Sequence, residues 1–233
     1  MTQTTDEKIL DNGDSSMTVY FDLPISKALT TKIIQLCAAI KNTFDKEILE
    51  VIPAYQSLTI IYESLIISRK DIRYKLINIV NSPLPKITTQ SKLINIPVCY
   101  DGEYGPDLKY LANYNKLSKQ QVIQRHTEPT YLVHMLGFLP GFLYLGGLDK
   151  SLFCPRKSTP AIKIPKGSVG IGGEQTGIYP CSSPGGWQLI GRTPLSIFDP
   201  NAKNPFIASP LDEIKFYSIK QSEFQELEKA NAD

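Results

Sequence analysis

The sequence lacks the long apolar runs and the paired cysteines that would assign it to several large classes of protein. No apolar stretch approaches the roughly 18 to 20 residues that a membrane-spanning helix needs. The four cysteines, Cys37, Cys99, Cys154 and Cys181, form no C-x-x-C pair, so neither a zinc cluster nor a redox dithiol is indicated. We interpret them as free thiols.

Charge of one sign is also missing, because the 25 basic residues are nearly balanced by 23 acidic ones. Lysine and arginine are scattered, with no run that would follow a phosphate backbone or an anionic membrane, so we expect neither as a partner. With two histidines, a metal site is not expected either. Residues 1–16 are interpreted as a polar N-terminal tail without a secretory apolar core, which predicts a cytoplasmic protein.

Residues 17–90 alternate between strand and helix periodicities, which predicts a small α+β domain. The predicted elements are strands at 17–23, 48–52 and 58–62 and helices that start near Ser26 and Ser68. Ser68 with Asp71 three residues later is typical of a helix start. The order β-α-β-β-α fits a ferredoxin-like sandwich. The proline-containing polar run at 83–91 is the predicted linker.

Residues 91–233 change in character and predict a β-barrel domain with a C-terminal helix. Ser118 with Gln121 indicates a capping box, and short β-like runs follow from Tyr131. Twelve of the fifteen glycines fall between Gly137 and Gly191. Helices would not tolerate this density because each interior glycine costs about 1 kcal/mol. We therefore expect many tight turns between short strands, then a strand near 214–219 and a charged helix from about Ser222.

Several long motifs follow one another in this region. They are His126-Thr-Glu-Pro-Thr-Tyr131, Leu136-Gly-Phe-Leu-Pro-Gly-Phe-Leu-Tyr-Leu-Gly-Gly-Leu148, Pro165-Lys-Gly-Ser-Val-Gly-Ile-Gly-Gly-Glu-Gln-Thr-Gly-Ile-Tyr-Pro180, Ser183-Pro-Gly-Gly-Trp-Gln-Leu-Ile-Gly-Arg-Thr-Pro194 and Phe198-Asp-Pro200. In this order they closely resemble the family of the 5-oxoprolinase B subunit and KipI, also called allophanate hydrolase subunit 1. The resemblance extends over roughly residues 13–212 and is strongest after His126.

The resemblance implies an α+β N-terminal domain followed by a cyclophilin-like β-barrel. It also implies the B subunit of an ATP-dependent 5-oxoprolinase, which works with a C-type and an A-type subunit and is inactive alone. The substrate would be 5-oxoproline, opened to L-glutamate at the expense of ATP with Mg²⁺. The sequence has no G-x-x-x-x-G-K-[ST] phosphate loop, so the ATP site must be of another kind, such as one shared with the C subunit.

Two other functions stay open at this point. A KipI-like inhibitor that docks on a sensor histidine kinase would carry the same motifs. A urea carboxylase-type carboxyltransferase component is the third hypothesis, since a urea carboxylase domain resembles the same subunits. The chain carries neither a biotin-attachment segment nor a Gly/Ser-rich amidase segment, which disfavours the carboxyltransferase hypothesis and the allophanate-cleaving activity that the older name suggests.

His126 and Arg192 are the candidate catalytic residues. Imidazole suits proton transfer near neutral pH, and His126 precedes a strand at a predicted barrel mouth. The alternative is a histidine that caps the helix before it. Arg192 offers a planar fork for a carboxylate or phosphate, and its alternative is a structural ion pair with Asp199.

Gln175, Thr176, Tyr179, Gly185 and Gly186 are the candidate substrate-binding residues. The first three are predicted in a turn after the strand at 168–171, where neutral polar groups suit a carboxylate or lactam. The two glycines would let the backbone approach a ligand closely. The alternative is that Thr176 and Gly177 satisfy turn backbone while Tyr179 packs.

The aromatic residues of the motifs also have more than one interpretation. The loop of Phe138, Pro140, Phe142 and Tyr144 forms a pocket wall or the contact for the C subunit, or else a stiff connection that packs well. Trp187 and His134 are expected in the core. Ala161 departs from the family pattern, in which arginine is common at this place. If that arginine binds an anion, Lys163 or Arg156 must replace it here.

Overall fold

The chain divides between Gln90 and Ser91 into two units, each with its own apolar core. The computed structural model describes residues 7–86 and 90–231. This division falls within the predicted linker at 83–91, of which residues 87–89 lie outside the described ranges. None of the helices in the described ranges is long and apolar enough to cross a membrane.

A four-stranded antiparallel sheet and two helices make up the N-terminal unit. In chain order its elements are β1 (Glu7–Asp11), β2 (Ser16–Phe21), α1 (Lys27–Thr43), β3 (Ile48–Pro53), β4 (Ser57–Tyr62) and α2 (Arg69–Val80). The sheet order is β1-β2-β4-β3. Ser26 and Ser68 cap the two helices, and their hydroxyls accept from the backbone N–H groups of Leu29 and Asp71. The helix starts predicted from these serines are therefore confirmed.

β1 corrects two expectations about this unit. The strand lies within the predicted tail at 1–16, pairs with β2 along its whole length, and packs Ile9 against the core. The tail prediction is wrong for β1, because five residues with two apolar neighbours carry almost no periodic signal. β1 also supplies the sheet edge beside β2, whereas a ferredoxin-like β-α-β-β-α-β order takes its last strand from after the second helix. The α+β architecture is present, and the ferredoxin-like assignment is not confirmed.

Seven strands of the C-terminal unit close into a barrel, in the order β10-β7-β6-β13-β5-β12-β9. β9 pairs back to β10 and completes the circle. The unit contains β5 (Leu93–Cys99), α3 (Leu108–Tyr114), α4 (Lys119–Thr127), β6 (Tyr131–Leu136), β7 (Leu143–Gly146), β8 (Ala161–Ile164), β9 (Ser168–Gly172), β10 (Gln175–Ile178), β11 (Ser183–Gly185), β12 (Gln188–Arg192), β13 (Glu213–Ile219) and α5 (Gln221–Ala230). β8 and β11 form a separate two-stranded sheet. The predicted β-barrel is confirmed.

The first and last strands of the barrel pair in parallel. β13 lies beside β5 in register from Glu213 opposite Leu93 to Ile219 opposite Cys99. The Asp212 carboxylate accepts hydrogen bonds from the backbone N–H groups of Lys92 at 2.9 Å and Ser209 at 2.8 Å, which fixes the entry to β13. The barrel is therefore closed by strands that are far apart along the chain.

Some of the glycines that were assigned to turns lie inside strands. Gly170 and Gly172 belong to β9, Gly177 to β10 and Gly191 to β12. Strand interiors normally disfavour glycine because it has no side chain to pack. The turn explanation therefore covers only part of the glycine-rich stretch, and these positions need a packing explanation.

Candidate functional site

The imidazole of His126 is buried in the barrel core, in the last turn of α4. Its Nδ1 lies 2.8 Å from the Tyr100 hydroxyl oxygen, and its Nε2 lies 3.0 Å from the Thr176 hydroxyl oxygen. The ring stacks on Phe216 with centroids 4.7 Å apart. Burial lowers the pKa of His126 from 6.5 to about 3, so the ring is neutral at physiological pH.

The hydrogen-bond network assigns the tautomer of this histidine. The Thr176 hydroxyl donates to the Gly170 carbonyl oxygen at 3.0 Å, so it accepts from Nε2–H. Nδ1 then accepts from the hydroxyl of Tyr100, whose pKa burial raises well above its usual range. Each polar group in this network has its partner inside the core. The expectations that His126 lies at a barrel mouth and Thr176 in a turn are wrong, because closure of the barrel encloses both side chains.

Arg192 lies at the end of β12 and contacts α5. Its Nε donates to the Lys166 carbonyl oxygen at 2.8 Å, and a terminal nitrogen lies 3.4 Å from Glu228 Oε1. The guanidinium carbon lies 5.5 Å from the centroid of the Phe224 ring. The alternative pairing with Asp199 is wrong, because the ion pair of Arg192 is with Glu228. Arg192 therefore fastens α5 to the barrel.

An aromatic cleft brings together two motif segments that are far apart in the sequence. The side chains of Phe142, Tyr144, Tyr179 and Trp187 line it, with Gly185, Gly186, Pro160 and Pro184 beside them. Phe138 and Arg156 are exposed and form its rim. Its volume is about 240 Å³, and Arg156 is its one charged lining residue among the described residues. We call this site the aromatic cleft.

The walls of the aromatic cleft are held rigidly by ring contacts. Phe142 meets Tyr179 edge-on, with centroids 5.0 Å apart, and meets Trp187 edge-on at 5.4 Å. Tyr144 packs on the same ring at 4.7 Å. Edge-to-face pairs of this kind add about 0.5 to 1.5 kcal/mol beyond the area that they bury. The four rings therefore stabilise one another as a single cluster.

Glycines in the strands make room for these rings. A Cβ at Gly172 would lie 2.5 Å from Cδ1 and Nε1 of Trp187, and one at Gly185 would lie 2.6 Å from the Tyr179 hydroxyl oxygen. Both distances are far below van der Waals contact, so any side chain there would displace a ring. Close aromatic packing explains these two glycines, which adopt no positive φ angle.

Two phenols give the aromatic cleft its neutral hydrogen-bond donors. Burial raises the pKa of Tyr179 and of Tyr144, so both hydroxyls keep their protons at neutral pH. The Tyr179 oxygen accepts from the backbone N–H of Trp187, which leaves its own proton to donate. The nearby Arg156 charge acts on the pKa of both phenols in the opposite sense, by a smaller amount. The cleft thus combines apolar walls, neutral donors and one cation, an arrangement suited to binding.

Ala161 lies next to this site. It is opposite Gly185 in the ladder between β8 and β11 and packs against the aromatic cluster. Of the two cations that were predicted to replace an arginine at this place, Arg156 lines the aromatic cleft and Lys163 does not. The guanidinium carbon of Arg156 lies 5.8 Å from the centroid of Trp187.

The predicted site residues therefore separate into two groups. Tyr179, Gly185 and Gly186 line the aromatic cleft, whereas His126, Thr176, Gln175 and Arg192 do not. Trp187 was expected in the core and is almost fully buried there, yet its ring also lines the cleft. The signal that would have found this wall is the recurrence of aromatic residues beside glycines. In the described part of the chain, no three His, Cys, Asp or Glu residues form a group that could hold a metal ion.

The chain that forms this barrel belongs to a known family of domains. The family described as carboxyltransferase domain, subdomain C and D, matches residues 7–208. The chain is 39% identical over 226 residues to the 5-oxoprolinase B subunit of Bacillus subtilis strain 168, covering 91% of this chain and 92% of that protein. The Escherichia coli O157:H7 protein of the same name is 37% identical over 212 residues, covering 90% and 94%. This chain belongs to the family of 5-oxoprolinase B subunits.

Solved structures agree with this fold. The protein TTHA0988 has a TM-score of 0.76 at 33% identity over 88% of this chain, which spans only 39% of that longer protein. A conserved uncharacterized protein from Pyrococcus horikoshii is 41% identical over 93% of this chain and its own full length, with a TM-score of 0.56. The urea amidolyase of Kluyveromyces lactis has a TM-score of 0.81 at 20% identity over 99% of this chain and 16% of its own, a likeness of fold alone.

Proposed function

We propose that this chain is the B subunit of an ATP-dependent 5-oxoprolinase, which opens 5-oxoproline to L-glutamate with a C-type and an A-type subunit. The observation that carries the proposal is the aromatic cleft, where the motif segments 136–148 and 183–194 meet. Two relatives named as the B subunit of 5-oxoprolinase align over 90% or more of this chain, which supports the same function. The three subunits together form the active enzyme.

The described residues indicate what this subunit contributes to lactam opening. The reaction depends on positioning the lactam and on stabilising charge at its carbonyl oxygen. The phenol of Tyr179 is a protonated donor suited to that oxygen. No histidine, cysteine, serine or carboxylate is among the described lining residues of the aromatic cleft, so they supply neither a nucleophile nor a general base. This composition supports a role for this chain in binding and orienting the lactam, with the partner subunits completing the chemistry.

The aromatic cleft does not fit a nucleoside triphosphate. Its volume of about 240 Å³ is below the roughly 300 to 1,000 Å³ of sites that bury drug-sized ligands. It also offers one cation to a ligand that carries several negative charges. We therefore place ATP with Mg²⁺ at a site completed by the C subunit. The four cysteines are free thiols, which supports a reducing cytoplasmic location, where ATP is abundant.

Reconstitution tests the proposed function. The purified chain, combined with its C and A subunits, should hydrolyse ATP only when 5-oxoproline is present and should release glutamate. Omission of any subunit should abolish both signals. ATP hydrolysis that does not depend on 5-oxoproline, or none at all with correctly assembled subunits, would contradict the proposal. An effect of the chain on sensor-kinase autophosphorylation would favour the inhibitor alternative.

Arg192→Ala should leave turnover of the reconstituted enzyme within about twofold of the parent. The side chain contacts α5 rather than the aromatic cleft, so its loss should cost only about 1 kcal/mol or less of unfolding free energy. Urea titration and steady-state assays measure the two effects. Glu228→Ala removes the other half of the pair and is the matched control. A turnover loss of about a hundredfold in the arginine variant alone, equivalent to about 2.7 kcal/mol of activation free energy, would restore Arg192 as a catalytic residue.

A further inference from the structure

We propose that the aromatic cleft is a binding site for small carboxylates that carry a flat, uncharged ring. Arg156 binds the carboxylate, and the ring lies against Trp187 and Tyr179. The lactam acid 5-oxoproline has this chemistry, and naming it as the ligand rests on the proposed function. The charge and shape of the aromatic cleft are observed independently of which ligand is assigned to it.

Arg156 provides the anion-binding end. It is exposed at the rim, and in residues 7–86 and 90–231 no carboxylate lies within ion-pair distance of it. Its guanidinium carbon stacks 5.8 Å from the centroid of the Trp187 ring, which orients the guanidinium without neutralising it. A guanidinium fork binds a carboxylate through two parallel hydrogen bonds. Arg156 is thus oriented at the mouth of a small cleft and has no carboxylate partner there in the described part of the chain. It can therefore bind the carboxylate of a ligand.

The aromatic walls provide the ring-binding end. Trp187 is only 5% exposed and is backed by Gly172, so its face cannot move away from a ligand without disturbing β9. Gly186 also lines the cleft, and a Cβ there would meet Lys157 and Pro160 at 3.7 Å or more. The phenol of Tyr179, whose pKa is raised by burial, donates a hydrogen bond to an uncharged carbonyl without bringing a second charge. These walls suit a flat, neutral ring.

Phe138 covers the rim of the aromatic cleft in a strained conformation. Its φ angle is +67°, which non-glycine residues rarely adopt and which costs about 1 to 2 kcal/mol. The loop holds it there through a hydrogen bond of 3.0 Å from the Phe142 N–H to the Leu139 carbonyl oxygen. Phe138 is 62% exposed, and its ring meets Phe142 edge-on at 5.7 Å. Strain of this kind is characteristic of binding sites, and here it presents an apolar ring to the ligand.

The single tryptophan allows a direct test, because Trp187 is the only one in the chain. The chain is labelled with 5-fluorotryptophan and titrated with 5-oxoproline, alone and after assembly with unlabelled C and A subunits. We expect a saturable shift of the one fluorine resonance. Arg156→Gln should weaken the apparent affinity at least about tenfold, the loss of one charge-assisted hydrogen bond. Arg156→Lys should recover part of it.

Two controls make the test specific. Arg125→Gln makes the same charge change on α4, away from the cleft lining, and should bind like the parent. The neutral lactam 2-pyrrolidinone, which lacks the carboxylate, should bind the parent as weakly as 5-oxoproline binds Arg156→Gln. A resonance that does not respond in either state, or responds equally in Arg156→Gln, overturns the site. Turnover with an unresponsive resonance overturns the site alone, whereas a saturable response without turnover overturns only the proposed function.

Discussion

His126→Ala should destabilise the C-terminal unit by about 3 to 5 kcal/mol. The substitution removes a buried ring that stacks on Phe216 and leaves the Tyr100 hydroxyl without its acceptor. Both effects arise in the core, where the His126 side chain is fully buried. Urea unfolding followed by Trp187 fluorescence reports on the same unit and measures the loss.

Acid should reduce this penalty. Between the ordinary pKa of 6.5 and the folded value of about 3, the unfolded chain binds a proton at His126 that the folded chain does not. The parent therefore keeps the full contribution above pH 6.5 and loses about 1.4 kcal/mol per pH unit as the pH falls towards 3. The alanine variant lacks this proton, so the stability gap between the two proteins should narrow as the solution becomes more acidic.

Tyr100→Phe is a smaller change in the same hydrogen-bond network than His126→Ala. It deletes only the hydroxyl that donates to Nδ1 and should cost about 1 to 3 kcal/mol in the same direction. It keeps the measurement possible if the alanine variant does not fold. A His126→Ala protein with the urea midpoint of the parent and no turnover would contradict the structural role and return the histidine to the reaction.

Gly172→Ala should displace Trp187 and abolish ligand binding in the aromatic cleft. The added methyl group would lie 2.5 Å from two atoms of a rigid indole ring, so either the ring rotates or β9 moves. Overpacking of this kind typically costs about 1 to 3 kcal/mol of unfolding free energy. The emission maximum of Trp187, thermal unfolding and the 5-oxoproline titration together measure the displacement.

Gly186→Ala is the matched control for this prediction. It adds the same methyl group next to the same tryptophan in the chain, but outside the two adjoining residues its nearest neighbour would be 3.7 Å away, an ordinary contact distance. Its emission maximum and thermal midpoint should stay close to those of the parent. Equal effects in the two variants would show that a methyl group is harmful anywhere in this stretch and that the contact with Trp187 is not the reason for Gly172.

The local features of the fold were predictable because their causes are local. The capping box of Ser118 and Gln121 forms as expected, with both of its hydrogen bonds present, because all its atoms lie within four residues. The strand β1 was not predicted because its stability comes from pairing with β2 rather than from its own composition. The barrel was predicted correctly from the density of glycines, although several of these glycines lie inside strands rather than in turns.

The candidate site was predicted less well, since side-chain direction depends on distant residues. His126 looked accessible beside a strand, but its ring is enclosed by Phe216, which lies 90 residues further along the chain. Arg192 is occupied by a carboxylate from the C-terminal helix. Tyr179 and the pair Gly185 and Gly186 were identified because the motif itself forms the cleft wall. Arg156 lies outside all the long motifs; the sequence offered it only as an alternative to Lys163, and its position beside Trp187 decides between the two.

The parallel pairing of β5 with β13 also determines when this protein can complete its fold during synthesis. The N-terminal unit has all its strands and helices once the ribosome has passed Val80. The barrel has to wait for Ile219, because until β13 emerges one edge of β5 has no partner. Every strand made in between is exposed to wrong pairing for that interval. A stop codon before Glu213 should therefore yield a folded first unit joined to an aggregation-prone open sheet.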